Sequence, residues 1–179
     1  MPNSSRRLEK YAEDIVSTLL YTTLQSGGIR STAVDHAASH IGKASGLLLL
    51  LRSLSCHARK SRQGSYIPIE MALKHKLLVK EGGRSYVQFD SPGGSLSDAV
   101  FEMASVANAH LEKARQLAGT MPVEARLVLL PSVLAQVLLD TLKKVEFNVF
   151  EPMLSRGIIC VPPMWYQIKV KWHSWRRKY

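Results

Sequence analysis

Aspartate is scarce in this sequence. Asp14, Asp35, Asp90, Asp98 and Asp140 are all it has, and no two of them stand three or four residues apart. Mg²⁺ takes hard oxygen ligands, usually carboxylates, so this scarcity argues against an aspartate-rich site for a metal diphosphate. Cysteine is scarcer still: Cys56 and Cys160 make no disulfide framework, which fits a reducing compartment. No apolar run approaches the ~20 residues that a membrane-spanning helix needs. No signal peptide is visible, and MPNSSRRLEK is too short and too soon helical for a transit peptide. The Asn3-Ser4-Ser5 sequon therefore carries no weight. There is no internal repeat, no low-complexity tract and no Ser-His-Asp order. Gly82-Gly83 and Gly93-Gly94 are isolated turn glycines without the lysine of a phosphate loop.

Acid of both kinds is outnumbered. Twenty-four Lys and Arg against 14 Asp and Glu leave a net charge of +10 and a pI near 9.8. A balance that basic points to an anionic partner: a lipid surface, nucleic acid or an acidic protein. With 46% hydrophobic and 21% charged residues in 179, the chain is a globular domain able to bury a real core.

The stretch Asp35 to Pro68, DHAASHIGKASGLLLLLRSLSCHARKSRQGSYIP, organises the rest. Thr32 reads as an N-cap with Asp35 at capping-box spacing. Ala37, Ile41, Ala44, Leu48, Leu51 and Ser55 then recur at three- and four-residue intervals, one face of a helix. Leu47 to Leu51 cover all its sides, so other elements must surround it. Around it, Leu8 to Leu24 reads as a helix with Leu8, Tyr11, Ile15, Leu19 and Thr22 or Thr23 on one side. Its Glu9 and Glu13 read as a solvated face in the first turn rather than a working carboxylate pair. Gln25 to Arg30 is a turn. Tyr66 to Glu81 is a short helix started by Pro68, and 82–94 is an insertion-like loop in which Tyr86 to Phe89 finds no obvious strand partner. Ser95 and Asp98 form a second capping-box spacing ahead of a helix from Leu96 to Leu117, with Leu96, Val100, Met103, Ala107, Leu111, Ala114 and Leu117 inward. From Met121-Pro122 a helix runs to about Val145, kinked at Pro131, with Val133, Leu134, Val137, Leu138, Leu142 and Val145 on its core side. A last helix covers Pro163 to Trp175. The fold class is all-α, with no convincing sheet.

A second stripe of the central helix carries the chemistry. Leu49, Ser53 and His57 are spaced by four and share a side. Arg52, Ala58, Arg59, Arg62, Tyr66 and Pro68 accompany them. This segment resembles the second aspartate-rich motif of the squalene/phytoene synthase family, the head-to-head prenyl transferases, in which a helix carries an asparagine and two aspartates at spacing four. The asparagine position here holds Leu49, and the aspartate positions hold Ser53 and His57. Leucine cannot ligate Mg²⁺, a serine hydroxyl is a weak neutral ligand, and imidazole suits softer metals. The resemblance therefore implies a family member without the catalytic apparatus, with no cofactor. Mg²⁺ enters only under the alternative of a working prenyl transferase that condenses prenyl diphosphates.

The resemblance covers most of the chain, from about Leu8 to the end, and implies the later part of an isoprenoid-synthase helical bundle. The family's opening helices and first aspartate motif would precede residue 1, which would leave an apolar groove along Leu47 to Leu51. Asp35 to Gly46 (DHAASHIGKASG), Phe101 to Arg115 (FEMASVANAHLEKAR), Val145 to Pro152 (VEFNVFEP) and Trp172 to Tyr179 (WHSWRRKY) liken it to a divergent, non-carotenogenic branch, in a form more plant-type than animal. That branch includes proteins that help respiratory complex I assemble. The likeness implies complex I subunits or assembly intermediates as partners, and a place on the matrix side of the mitochondrial inner membrane.

Weaker candidates remain. Arg52, Arg59, Lys60 and Arg62, with Tyr66, could cradle a diphosphate or a lipid headgroup, because guanidinium pairs bidentately with phosphate; the plainer reading is solvated charge. A third reading keeps the old cavity as a prenyl-lipid pocket without turnover. Asp35, His36 and His40 could bind a metal, but a cap and two histidines near the first turns account for them, and no metal site is assigned. His57 by itself reads as a polar residue near a helix C-terminus. In the segment 163–179, Trp172 and Trp175 alternate with Lys169, Lys171, Arg176 and Arg177, a mixture suited to a membrane interface or a partner. The alternative is a helix that buries its tryptophans in the bundle. Nucleic acid would use the same residue types, but no motif supports it and none is expected as a partner.

Overall fold

The computed structural model describes residues 4–60, 66–81, 84–87, 94–151, 154 and 163–176, with side chains at 56–60, 79–81, 84–86 and 163–166 outside that description. Its axis is α3, Thr32–Lys60, and the anticipated stripe is the side that the core closes on. Ala37, Ile41, Ala44, Leu48 and Leu51 are fully inaccessible and Ser55 nearly so. The first half of α3 packs Val34, Ala37, Ala38 and Ile41 on Leu20, Leu24, Met121, Ala125 and Leu129. The second half packs Leu47, Leu48, Leu51 and Leu54 among Leu8, Ile67, Met71, Met103, Leu111 and Leu139. Two apolar clusters thus share one helix.

The all-round burial of the leucine run holds for Leu47, Leu48 and Leu51, while Leu50 is half-buried and Leu49 is 47% exposed. The apolar groove expected along Leu47 to Leu51 narrows to Leu49. The N-terminal start also differs in detail: α3 already includes Thr32, and the Asp35 N–H donates to the Ser31 carbonyl, so Ser31 rather than Thr32 stands at the cap.

The first helix turns a different side inward from the one its pattern indicates. It is α1 (Ser5–Ala12), a π-helical turn over Glu13–Ser17, and α2 (Thr18–Ser26), one continuous rod. Ser4 caps it, accepting from the Arg7 N–H. Tyr11, Ile15 and Leu19 are 49%, 49% and 68% exposed, and Leu8, Ala12, Ser17, Leu20 and Leu24 face in. The cause is close approach. A Cβ on Gly46 would stand 2.6 Å from the Ala12 Cβ, and one on Gly42 would stand 2.7 Å from the Ser17 backbone nitrogen. Small residues let the two backbones touch where aromatic and branched ones would hold them apart, and the wider π turn carries the register through the contact. Gly28, at φ 70°, ends α2, with the Ile29 N–H donating back to the Leu24 carbonyl and that of Gly28 to Gln25, a Schellman closure.

The helix placed over Tyr66 to Glu81 is confined to α4, Ile69–Lys74, with Pro68 at its N-cap. Beyond it comes the partner that Tyr86 lacked on paper: β1 (Leu78–Glu81) pairs antiparallel with β2 (Arg84–Val87), Val79 opposite Tyr86. This hairpin is the departure from helix among the described residues. Helix α5, Ser95–Gln116, buries Leu96, Val100, Met103, Ala107, Leu111 and Ala114 as expected. Leu117 falls in a 3₁₀ turn and is half-buried. The capping box does not form, because Gly94 at φ 56° takes the N-cap position and Ser95 is already helical. Pro131 breaks its helix rather than kinking it. Helix α6, Val123–Val128, stops short of it, and α7, Pro131–Lys144, starts with the proline at its first position, where the missing N–H costs nothing. Val133, Val137, Leu138 and Leu142 are buried on α7, with Leu134 and Val145 half-buried. The last element is α8, Pro163–Arg176, which contacts α7.

Candidate functional site

On the degenerate stripe, Leu49 presents hydrocarbon to the surface and Arg52 is half-buried. The Ser53 hydroxyl donates to the Leu50 carbonyl at 2.8 Å, so its proton is spent on the helix's own backbone. The donor set does not fit Mg²⁺: the stripe offers it no carboxylate, and its one described oxygen is neutral and already engaged. The side chains of His57, Arg59 and Lys60, and the whole of Arg62, lie outside the described residues, as does Arg177. Tyr66 is half-buried and engaged in a contact of its own.

The structure assembles a different polar group, which the sequence reading took apart. Glu9 and Glu13 are half-buried between the first helix, α3 and α5 rather than solvated. Glu13 accepts a hydrogen bond from the Ser39 hydroxyl and pairs with Lys43 at 3.2 Å. Burial pushes the Glu13 carboxyl up, but Ser39 and Lys43 outweigh it and hold it below the ordinary range. Glu9 lies 3.3 Å from His110 Nε2, and His110 Nδ1 lies 2.9 Å from His40 Nδ1. A carboxylate only accepts, so His110 Nε2 carries the proton toward Glu9. Neutral His110 then has an acceptor at Nδ1, and His40 donates its Nδ1–H to it. The chain is ordered Glu9, His110, His40.

Both imidazoles are held below the ordinary histidine range. Burial lowers His40 first, and the proximity of His110 and Lys43 lowers it further. Burial also lowers His110, against the opposing pull of Glu9. The sites differ in what they can do. The histidine chain joins α1, α3 and α5 by polar contacts inside an apolar seam, and it borders a pocket of only about 10 Å³ lined by Leu8, Leu47, Met71 and Met103. That is less than the ~300 Å³ at which ligand pockets begin. Among the described residues, no three His, Cys, Asp or Glu side chains converge on a point that a metal could take. Asp35 and His36 are exposed and His40 turns to His110, so the trio considered from spacing does not come together. The missed signal was His110 on the apolar stripe of α5, one residue before Leu111, where a polar side chain needs a partner.

On α8, Trp172 and Trp175 are 48% and 78% exposed, so the helix does not bury these tryptophans in the bundle. Their rings meet edge-on at 5.8 Å, and the Arg176 guanidinium lies 4.5 Å over Trp172. Lys171 is exposed beside them, whereas Lys169 is half-buried and has a partner.

The squalene/phytoene synthase family model matches residues 1–176. The chain is 34% identical over 176 residues to the rat protein named NADH dehydrogenase (ubiquinone) complex I, assembly factor 6, covering 98% of this chain and 49% of that one. The human protein of that name is 33% identical over 174 residues, 97% of this chain and 49% of its own length. The homologue from Drosophila melanogaster is 39% identical over 144 residues, 80% and 41%. The chain spans about half the length of these curated relatives. No solved structure matches. A helical bundle wound on α3, matched almost end to end by the family model, belongs to the squalene/phytoene synthase family.

Proposed function

We propose that this chain is a non-catalytic member of its family that acts in the assembly of mitochondrial respiratory complex I. The observation that carries the reading is the motif helix. Its stripe reads Leu49, Ser53, His57 where the family's enzymes need an asparagine and two aspartates, while likeness to proteins named as complex I assembly factors runs the length of the chain. A scaffold role asks only for a stable bundle and recognisable surfaces. Its partners are complex I subunits or assembly intermediates, and its place is the matrix side of the inner membrane.

Two measurements test this. Purified protein incubated with farnesyl or geranylgeranyl diphosphate, Mg²⁺ and a reductant is expected to release no pyrophosphate above the protein-free control. A head-to-head product in the mass spectrum would overturn the non-catalytic reading. Cells that lack their own relative of this protein, and with it assembled complex I, should recover the assembled complex on native gels when they express this protein in a mitochondrially targeted form. Expression in the matrix without recovery would count against the assembly role.

A further inference from the structure

The three tryptophans of the chain, Trp165, Trp172 and Trp175, all fall within α8, and beyond Glu151 the sequence carries no Asp or Glu but six Lys and Arg. The helix sorts these residues by face. Val170 and His173 are half-buried on the side away from the outer stripe, and the helix contacts α7. Ile168, Trp172 and Trp175, spaced by four and three, form one outward apolar stripe at 59%, 48% and 78% exposure. Lys171 borders it on one side and Arg176 on the other, both exposed.

We propose that this outer face is a membrane-docking surface whose occupant is an anionic lipid bilayer. Three features choose lipid over a protein groove. Indole rings favour the headgroup level, where an apolar body meets a polar edge. Cations flank the stripe where lipid phosphates would lie, and no acidic residue on the helix opposes them. A helix of 14 residues is too short to span a bilayer, and no described helix is long and apolar enough to do so, so α8 would lie in the interface plane. Arg176 stacked on Trp172 keeps its charge beside the ring that enters the lipid. This deepens the membrane placement proposed above but rests on the chemistry of the helix.

The confinement of tryptophan to one helix supplies the probe, because indole emission reports on α8 alone. The full chain is titrated with phosphatidylcholine vesicles, with and without phosphatidylglycerol, and followed by tryptophan emission and co-sedimentation. The expected result is a blue shift and sedimentation with the anionic vesicles, reversed by high salt. A Lys171→Gln/Arg176→Gln variant should bind about fivefold more weakly per charge removed, and a Trp172→Ala/Trp175→Ala variant about tenfold or more. All four residues are exposed, so circular dichroism should be unchanged. No shift and no sedimentation with either vesicle would overturn the proposal, as would equal binding to neutral vesicles or undiminished binding by the tryptophan variant. Self-association through this face, abolished in the tryptophan variant and seen without vesicle binding, would overturn it in favour of a second copy. The complex I reading has its own test in the rescue experiment, so the two can fail separately.

Discussion

Two glycines decide how close the first helix comes to α3. In a free helix, replacing glycine by alanine stabilises by about 0.5–1 kcal/mol. At Gly46 the added carbon would sit 2.6 Å from the Ala12 Cβ and 2.8 Å from its Cα, so Gly46→Ala should instead destabilise by about 1–3 kcal/mol, read as a lower urea midpoint. A rise in the midpoint would mean that the helices are not in contact there. Ser45 makes the opposite case. It is 7% exposed and its hydroxyl has no hydrogen-bond partner, so Ser45→Ala should be neutral or raise the melting temperature slightly, since it removes a buried polar group that nothing satisfies.

At the scale of the element, the rod formed by α1, its π turn and α2 shows where pattern reading fails. Leu8, Tyr11, Ile15 and Leu19 fit a helical stripe, yet only Leu8 of these is buried. The inward side is instead marked by small residues, Ala12 and Ser17, which a count of large apolar side chains overlooks. Adjacent leucines therefore separate: Leu20→Ala should cost about 2–5 kcal/mol, and Leu19→Gln should stay within about 0.5 kcal/mol. Denaturant unfolding of the two variants checks the register, and comparable losses would restore the pattern's choice. The core sides of α5 and α7 were legible because large apolar residues mark them, Leu96, Val100, Met103 and Leu111 on the one and Val133, Val137, Leu138 and Leu142 on the other. The hairpin was not legible, because Leu78 to Glu81 continues an apolar segment that reads as helix until its pairing with Arg84 to Val87 is seen.

At the scale of the molecule, the polar seam ties stability to pH. His40 and His110 have folded values below their ordinary 6.5. Between the folded and unfolded values the unfolded chain binds more protons, so stability rises with pH there. Their contribution is complete above about pH 6.5 and is lost as the pH falls through the folded values. Glu13, also lowered, loses its contribution further down, below its ordinary 4.5. Urea midpoints should therefore be level near neutrality and fall from pH 6.5 toward acid. A His40→Gln/His110→Gln variant should flatten the upper part of that fall, and an unaltered profile would place the two rings in solvent.

The sequence by itself determined the fold class, the central place of α3, the inward faces of α3, α5 and α7, and the absence of any carboxylate on the Leu49, Ser53, His57 stripe. Each follows from local periodicity or from the identity of a side chain. Only the tertiary structure decided which side of the first helix is buried, that Glu9 and Glu13 serve an inter-helix polar seam, that Leu49 meets solvent, and that Trp172 and Trp175 face outward. These depend on distances between residues far apart in the chain, such as Glu9 and His110 or Ala12 and Gly46, and one-dimensional spacing carries no information about which helices meet or how closely.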